Sequence, residues 1–172
     1  MGKLIFVLGG AQSGKSRIAL NFAKNGKGKS AFVATCLPVD REMNEKIKRH
    51  REERPKNWST VEAGNTPFAI KMEKGDATTI LIDSLTLWAA RCVEKNWNRK
   101  EVEERASAFA REIKEKFARS IVVSDEVGLS IVPDVKSARK FRTLLGSVNQ
   151  IFAREAENFY VVFAGVPVCV KK

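Results

Sequence analysis

Two clusters of residues in this sequence have the types and spacing to do chemistry. The first is Gly9-Gly10-Ala11-Gln12-Ser13-Gly14-Lys15-Ser16, a G-x-x-x-x-G-K-S pattern. It follows the apolar run at residues 4–8 and opens into a segment with Ile18, Leu20 and Phe22 among polar residues. Glycine at 9 and 14 permits backbone torsions and a close approach that a side chain would block. Backbone N–H groups of residues 12–16 can then converge on phosphate oxygens at the positive end of a helix. Lys15 supplies a point charge for the outer phosphates, and the Ser16 hydroxyl is a ligand for the Mg²⁺ that travels with a nucleoside triphosphate. A glycine turn that merely precedes a lysine would not need the strand-like run before it and the amphipathic segment after it.

The second cluster surrounds His50, the single histidine of the chain. On a helix it shares a face with Met43, Lys46, Ile47 and Arg54, and four of the six residues 46–51 are basic. A lone histidine in a charge run often has no special task, because such a run is usually a solvated face. The other reading is chemical. Surrounding cations favour the neutral imidazole, which is a competent nucleophile toward phosphorus, and Lys and Arg would stabilise a triphosphate under attack. A third residue, Asp83, follows four apolar residues and either orients Mg²⁺ or its waters or caps the segment starting at Leu85; the two roles are compatible.

The elements that must position these groups alternate in type. Strands are predicted at 4–8, 30–35, 78–83 and 120–124, and 159–170 supplies a last strand or hairpin. Helices are predicted after the glycine turn, at 40–54 with Asp40 as cap and Pro55 as terminator, and at 66–73 and 85–95. Asn98 and Glu101 form a capping pair for a long helix whose apolar stripe is Val102, Ala106, Phe109, Ile113 and Phe117. Phe141, Leu144, Leu145, Val148, Ile151 and Phe152 mark another. Alternation of this kind predicts a doubly wound α/β fold, a mostly parallel sheet with helices on both faces, P-loop NTPase-like, binding ligands at the carboxyl ends of its strands.

At 172 residues the chain reads as a single domain, 1–172, with a real core. No apolar run approaches a membrane span, and the first strand begins too early to leave room for a signal peptide, so a cytoplasmic enzyme is expected. Three widely spaced cysteines, Cys36, Cys92 and Cys169, resemble neither a disulfide framework nor a zinc site. The net charge of +11 suggests an anionic partner. Much of the charge is interleaved, since residues 99–119 mix seven basic with five acidic residues. The excess therefore argues for a phosphate-rich ligand more than for nucleic acid.

With these residues in view, the chain resembles the bifunctional adenosylcobinamide kinase / adenosylcobinamide-phosphate guanylyltransferase family of cobalamin biosynthesis. The resemblance rests on GGAQSGKSR, the VAT of 33–35, EMNEKIKRHREERPKNWSTVEA around His50, LIDSLTLW from Leu81, SDEVGLSIVP from Ser124 and ARKFRTLLGSVNQIFAREA from Ala138. It runs nearly end to end. It implies two reactions: phosphorylation of the aminopropanol hydroxyl of adenosylcobinamide by GTP or ATP, then transfer of GMP from GTP to that phosphate with release of pyrophosphate. It also implies that the GMP passes through a covalent adduct on His50. Nucleotide binding is carried over to Gly9, Gly10, Ala11, Gln12, Ser13, Gly14, Lys15 and Ser16, to Ala34, Thr35 and Cys36, to Arg51, Glu52, Glu53 and Arg54, and to Glu62 and Asp83. Ser16 and Asp83 are implied Mg²⁺ ligands, directly or through water, and a homotrimer is implied.

Some carry-overs have a chemical reason. Glu62 could accept hydrogen bonds from the N1–H and 2-amino group of guanine, or it could be an exposed strand acid. Arg51 and Arg54 suit phosphate contacts, and the backbone of 34–36 could line the site. Asp125, Glu126 and Gly128 read as a polar loop after a strand, which either helps position Mg²⁺ or the corrinoid or is a structural turn. Ser130 stands where the family commonly has a glycine, Thr143 where an acid is frequent and Ser84 where a cysteine is often found. The helix at 40–54, dense in charge and just after the second strand, is expected to move on GTP binding. Two other classes fit parts of the pattern. One is a monofunctional phosphate-loop kinase in which His50 is incidental, separable by GMP labelling of the protein. The other is a nucleotide-switched nucleic-acid-binding module, suggested only by the charge and separable by salt-resistant RNA affinity.

Overall fold

A computed structural model of the chain describes residues 1–35, 45, 48, 52 and 54–172. Strand β1 (Lys3–Gly9) leads into helix α1 (Lys15–Lys24), and β2 (Ser30–Ala34), β3 (Ser59–Glu62) and β4 (Thr79–Asp83) follow. Helices α2 (Leu85–Glu94) and α3 (Arg99–Lys116), strand β5 (Arg119–Asp125), helix α4 (Lys136–Glu155) and strands β6 (Asn158–Phe163) and β7 (Val166–Lys171) complete the order. The sheet runs β3-β2-β4-β5-β1-β6-β7, and every neighbouring pair is parallel except β6 with β7. The α/β fold predicted from the alternation is the one formed.

Side chains alternate across each strand, and that alternation sorts the core into two layers. Ile5, Val7, Phe32, Leu81, Ile121, Val123 and Val162 pack on Ala19, Leu20 and Ala23 of α1. Leu4, Phe6, Ala31, Val33, Ile80, Ile82 and Val122 pack on the opposite side, against α2, α3 and α4. Trp88 of α2 is fully buried there, edge-on to both Phe68 at 5.5 Å and Phe109 at 5.1 Å between ring centroids. Central strands covered on both faces are apolar throughout, which is why β1, β4 and β5 stand out in the sequence. The Asn98 side chain accepts from the Glu101 N–H, so α3 starts where its capping pair placed it.

Several expectations need correction. Residues 66–73 form turns and irregular backbone in place of a helix: Phe68 takes φ +55° and is driven with Met72 into the core. Pro67 and that left-handed residue remove the regular torsions a helix needs. The second strand ends at Ala34, while β5 extends one residue beyond the predicted span at each end, so Asp125 belongs to the strand and not to the loop after it. The last segment is a hairpin joined by Ala164 and Gly165, with φ of +47° and +85°, the two positive values that a tight hairpin turn requires. Of the helix expected at 40–54, Glu45, Lys48 and Glu52 are helical and exposed, and the rest, His50 included, lies outside the described residues except Arg54. No helix among the described residues is long and apolar enough to cross a membrane. Cys92 is buried, which pushes its thiol up to about 12, and Cys169 is exposed; both are free thiols.

Candidate active site

The glycine-rich turn sits at the carboxyl end of β1, near the middle of the sheet. A side chain at Gly9 would bring a Cβ within 2.5 Å of Ser13 Oγ and 2.9 Å of the Val162 carbonyl, so only glycine fits. Gly14 is the N-cap of α1 at φ +87°. Between them Gln12 adopts φ +56°. The helix starts with no capping side chain and no acid in its first turn, which leaves its leading N–H groups for an anion. The Ser13 N–H closes the turn, donating to the Gly10 carbonyl at 3.2 Å. A brace on this turn comes from the far end of the chain: the Gly165 N–H donates to the Ser13 carbonyl at 2.8 Å. The β6–β7 hairpin therefore holds the phosphate loop from the side, and Ala164-Gly165 between two apolar runs is its only sequence signal.

Lys15 lies across the mouth of this loop. Its ammonium donates to the Gly10 carbonyl at 3.1 Å and pairs with Asp125 Oδ1 at 2.5 Å. Asp125 is held in turn from three sides. The Thr86 hydroxyl donates to its Oδ2 at 2.7 Å and accepts from its N–H at 3.0 Å. The Asn149 amide donates to its carbonyl at 3.1 Å, and the Ser124 hydroxyl donates to Asn149 Oδ1 at 2.6 Å. Glu126 behaves as the turn reading expects, its N–H donating to the Gly9 carbonyl at 3.0 Å and its carboxylate accepting from the Gly128 N–H.

Glu62, Ala34 and Asp83 form one rank across three adjacent strands, Ala34 opposite both acids. This brings Glu62 and Asp83 to the same edge as the phosphate loop. Thr35 is bonded into the same edge. Its hydroxyl accepts from the Ser84 N–H at 2.7 Å and donates to the Ser84 carbonyl at 2.9 Å, its N–H donates to the Asp83 carbonyl at 3.4 Å, and its carbonyl accepts from Arg91 at 2.7 Å. The Ala34 carbonyl likewise accepts from the Ala63 N–H at 2.9 Å. These bonds tie the end of β2 to the start of α2 and to the residue that follows β3. Ser84, and not Asp83, occupies the N-cap position of α2. The Arg54 guanidinium carbon stands 3.3 Å from the Phe32 ring centroid, and its Nη1 donates to the Thr60 hydroxyl at 3.4 Å. Glu52 is exposed; Cys36, His50, Arg51 and Glu53 lie outside the described residues.

Residues 5–170 match the model of the cobinamide kinase / cobinamide phosphate guanyltransferase family. The chain belongs to that family. It is 31% identical over 166 residues to the bifunctional adenosylcobalamin biosynthesis protein CobP of Pseudomonas aeruginosa, covering 96% of this chain and 95% of the relative. The Escherichia coli protein CobU, described in the same words, is 29% identical over 181 residues, with 98% and 99% covered. Among solved structures, a Pyrococcus horikoshii OT3 protein superposes with a TM-score of 0.60 at 7% identity, covering 99% of this chain and 87% of its own. That likeness concerns the fold alone. In this cobinamide kinase / guanyltransferase chain, the family match thus spans the phosphate loop, the block around His50 and the strand ends between them.

Proposed function

We propose that this chain is a bifunctional enzyme of cobalamin biosynthesis, phosphorylating adenosylcobinamide with a nucleoside triphosphate and then transferring GMP from GTP to the product. The observation that carries the reading is that one family match covers both chemical clusters, the phosphate loop and the His50 block. The uncapped start of α1, with Lys15 beside it, supports triphosphate binding in the loop. Nucleotide contacts are assigned to residues 9–16, with Glu62 as the guanine-selecting carboxylate and Arg51 and Arg54 as phosphate partners. Mg²⁺ enters with the nucleotide. The Ser16 hydroxyl and the Asp83 carboxylate are hard oxygen donors suited to it.

His50 is the nucleophile of the second step: its imidazole nitrogen attacks the α-phosphorus of GTP, the bond to pyrophosphate breaks, and the corrinoid phosphate later displaces the imidazole. Both activities reside in one domain, the working assembly is a homotrimer, and the enzyme acts in the cytoplasm. The test is to supply adenosylcobinamide, Mg²⁺ and GTP labelled at either the γ- or the α-phosphate. Both labels should reach the corrinoid, the γ-label first. Transfer of the γ-label alone would reduce the reading to a monofunctional kinase.

A further inference from the structure

We propose that Arg91 is a positioning residue for guanine recognition, holding the ends of β2 and β3 in the arrangement from which Glu62 reads the base. This rests on the reading of Glu62 above and assigns a residue to which that reading gives no role. Arg91 stands in the last turn of α2, and helical side chains lean toward the start of their helix. Because α2 starts directly after β4, that lean carries the guanidinium toward the carboxyl edge of the sheet. There it makes two donations, Nη2 to the Thr35 carbonyl and Nη1 to the Gly64 carbonyl, each at 2.7 Å. One carbonyl belongs to the residue just after β2, and the other lies two residues beyond Glu62.

The backbone of Glu62 is thereby fixed on both sides. Its register places it beside Ala34, the Ala63 N–H donates to the Ala34 carbonyl at 2.9 Å, and Gly64 turns at φ +36° to meet Arg91. Ala63 is buried, so the chain just after Glu62 cannot shift without disturbing the core. Accepting from both the N1–H and the 2-amino group of guanine requires a carboxylate held in one place and one plane, which this brace supplies. A planar guanidinium fork suits two carbonyls at a fixed separation, whereas a lysine ammonium offers the charge without the fork. The competing role is that Arg91 merely adds positive charge for the triphosphate. The two differ in a readable way, because added charge serves every nucleoside triphosphate alike and the brace matters only to the base.

The test measures affinity for GTP and for inosine triphosphate, which lacks the 2-amino group, by titration calorimetry with Mg²⁺ on wild type, Glu62→Gln, Arg91→Lys and Arg91→Met. Wild type should prefer GTP by about tenfold or more, the worth of one hydrogen bond to a carboxylate, and Glu62→Gln should cut that preference to about threefold or less. Arg91→Lys and Arg91→Met should cut it as far, with inosine triphosphate still bound within about threefold of wild type. Arg91→Lys stands in if Arg91→Met does not fold. Full preference in Arg91→Lys, or an equal loss of both nucleotides in the Arg91 variants, overturns the assignment while Glu62→Gln still lowers the preference. No preference in wild type, or none lost in Glu62→Gln, sinks the Glu62 reading and this assignment with it.

Discussion

At the scale of single residues, the site is governed by backbone conformation as much as by functional groups. Gly14 must take a left-handed torsion and still leave its neighbours' N–H groups open, so Gly14→Ala should cost about 1–2 kcal/mol of stability. Thermal unfolding checks the first effect. The same variant should weaken GTP binding at least tenfold, measured by titration calorimetry. The motif was legible because each of its residues has a separate chemical reason to be there. The paired hydrogen bonds by which Thr35 ties the end of β2 to the start of α2 through Ser84 were not, because the two residues are far apart in the sequence and follow no spacing rule. Asp125 was read as loop because acids seldom occupy a central strand, yet the last position of β5 is where a parallel sheet presents polar groups.

At the scale of elements, the unexpected part is the β6–β7 hairpin. Its turn reaches across to the phosphate loop, where Gly165 at φ +85° donates to Ser13 and leaves 3.3 Å between its Cα and the position a Gly14 Cβ would take. A β-branched residue cannot take that torsion cheaply, so Gly165→Val should loosen the brace. The expected outcome is a several-fold weaker GTP affinity with a smaller fall in unfolding temperature, and equal affinity would separate the hairpin from the site. Helices with long apolar stripes and a capping pair, such as α3, were readable from residue spacing alone. The segment at 66–73 was not, because its burial of Phe68 and Met72 is achieved by irregular backbone that has no periodic signature.

At the scale of the whole molecule, stability is concentrated in the layer beneath α2, α3 and α4. Trp88, with no exposed surface and two aromatic neighbours, should cost about 3–5 kcal/mol as Trp88→Ala. Trp88→Phe should cost far less, since the buried indole N–H has no hydrogen-bond partner among the described residues to lose. Chemical denaturation of both variants measures the difference. The junction of α4, β6 and β1 is sensitive to pH. Burial by itself would raise the Glu157 carboxyl, but the Lys114 ammonium and the Leu4 N–H, each at 2.7 Å, outweigh it and hold the group below its ordinary 4.5. A depressed folded-state value means that this contribution is complete above 4.5 and is lost as pH falls through the folded value. Glu157→Gln should therefore unfold at a lower temperature than wild type at neutral pH, and the gap should close in acid.

The pairing of two chemistries in one chain rests finally on His50. The measurement that tests it most directly is intact mass analysis after incubation with Mg²⁺ and GTP carrying label in either the α- or the γ-phosphate, for wild type and His50→Ala. The account predicts an acid-labile, alkali-stable GMP adduct that keeps the α-label, loses the γ-label and is absent from the variant. A wild type that binds GTP yet forms no adduct, or a variant that still forms one, would contradict it.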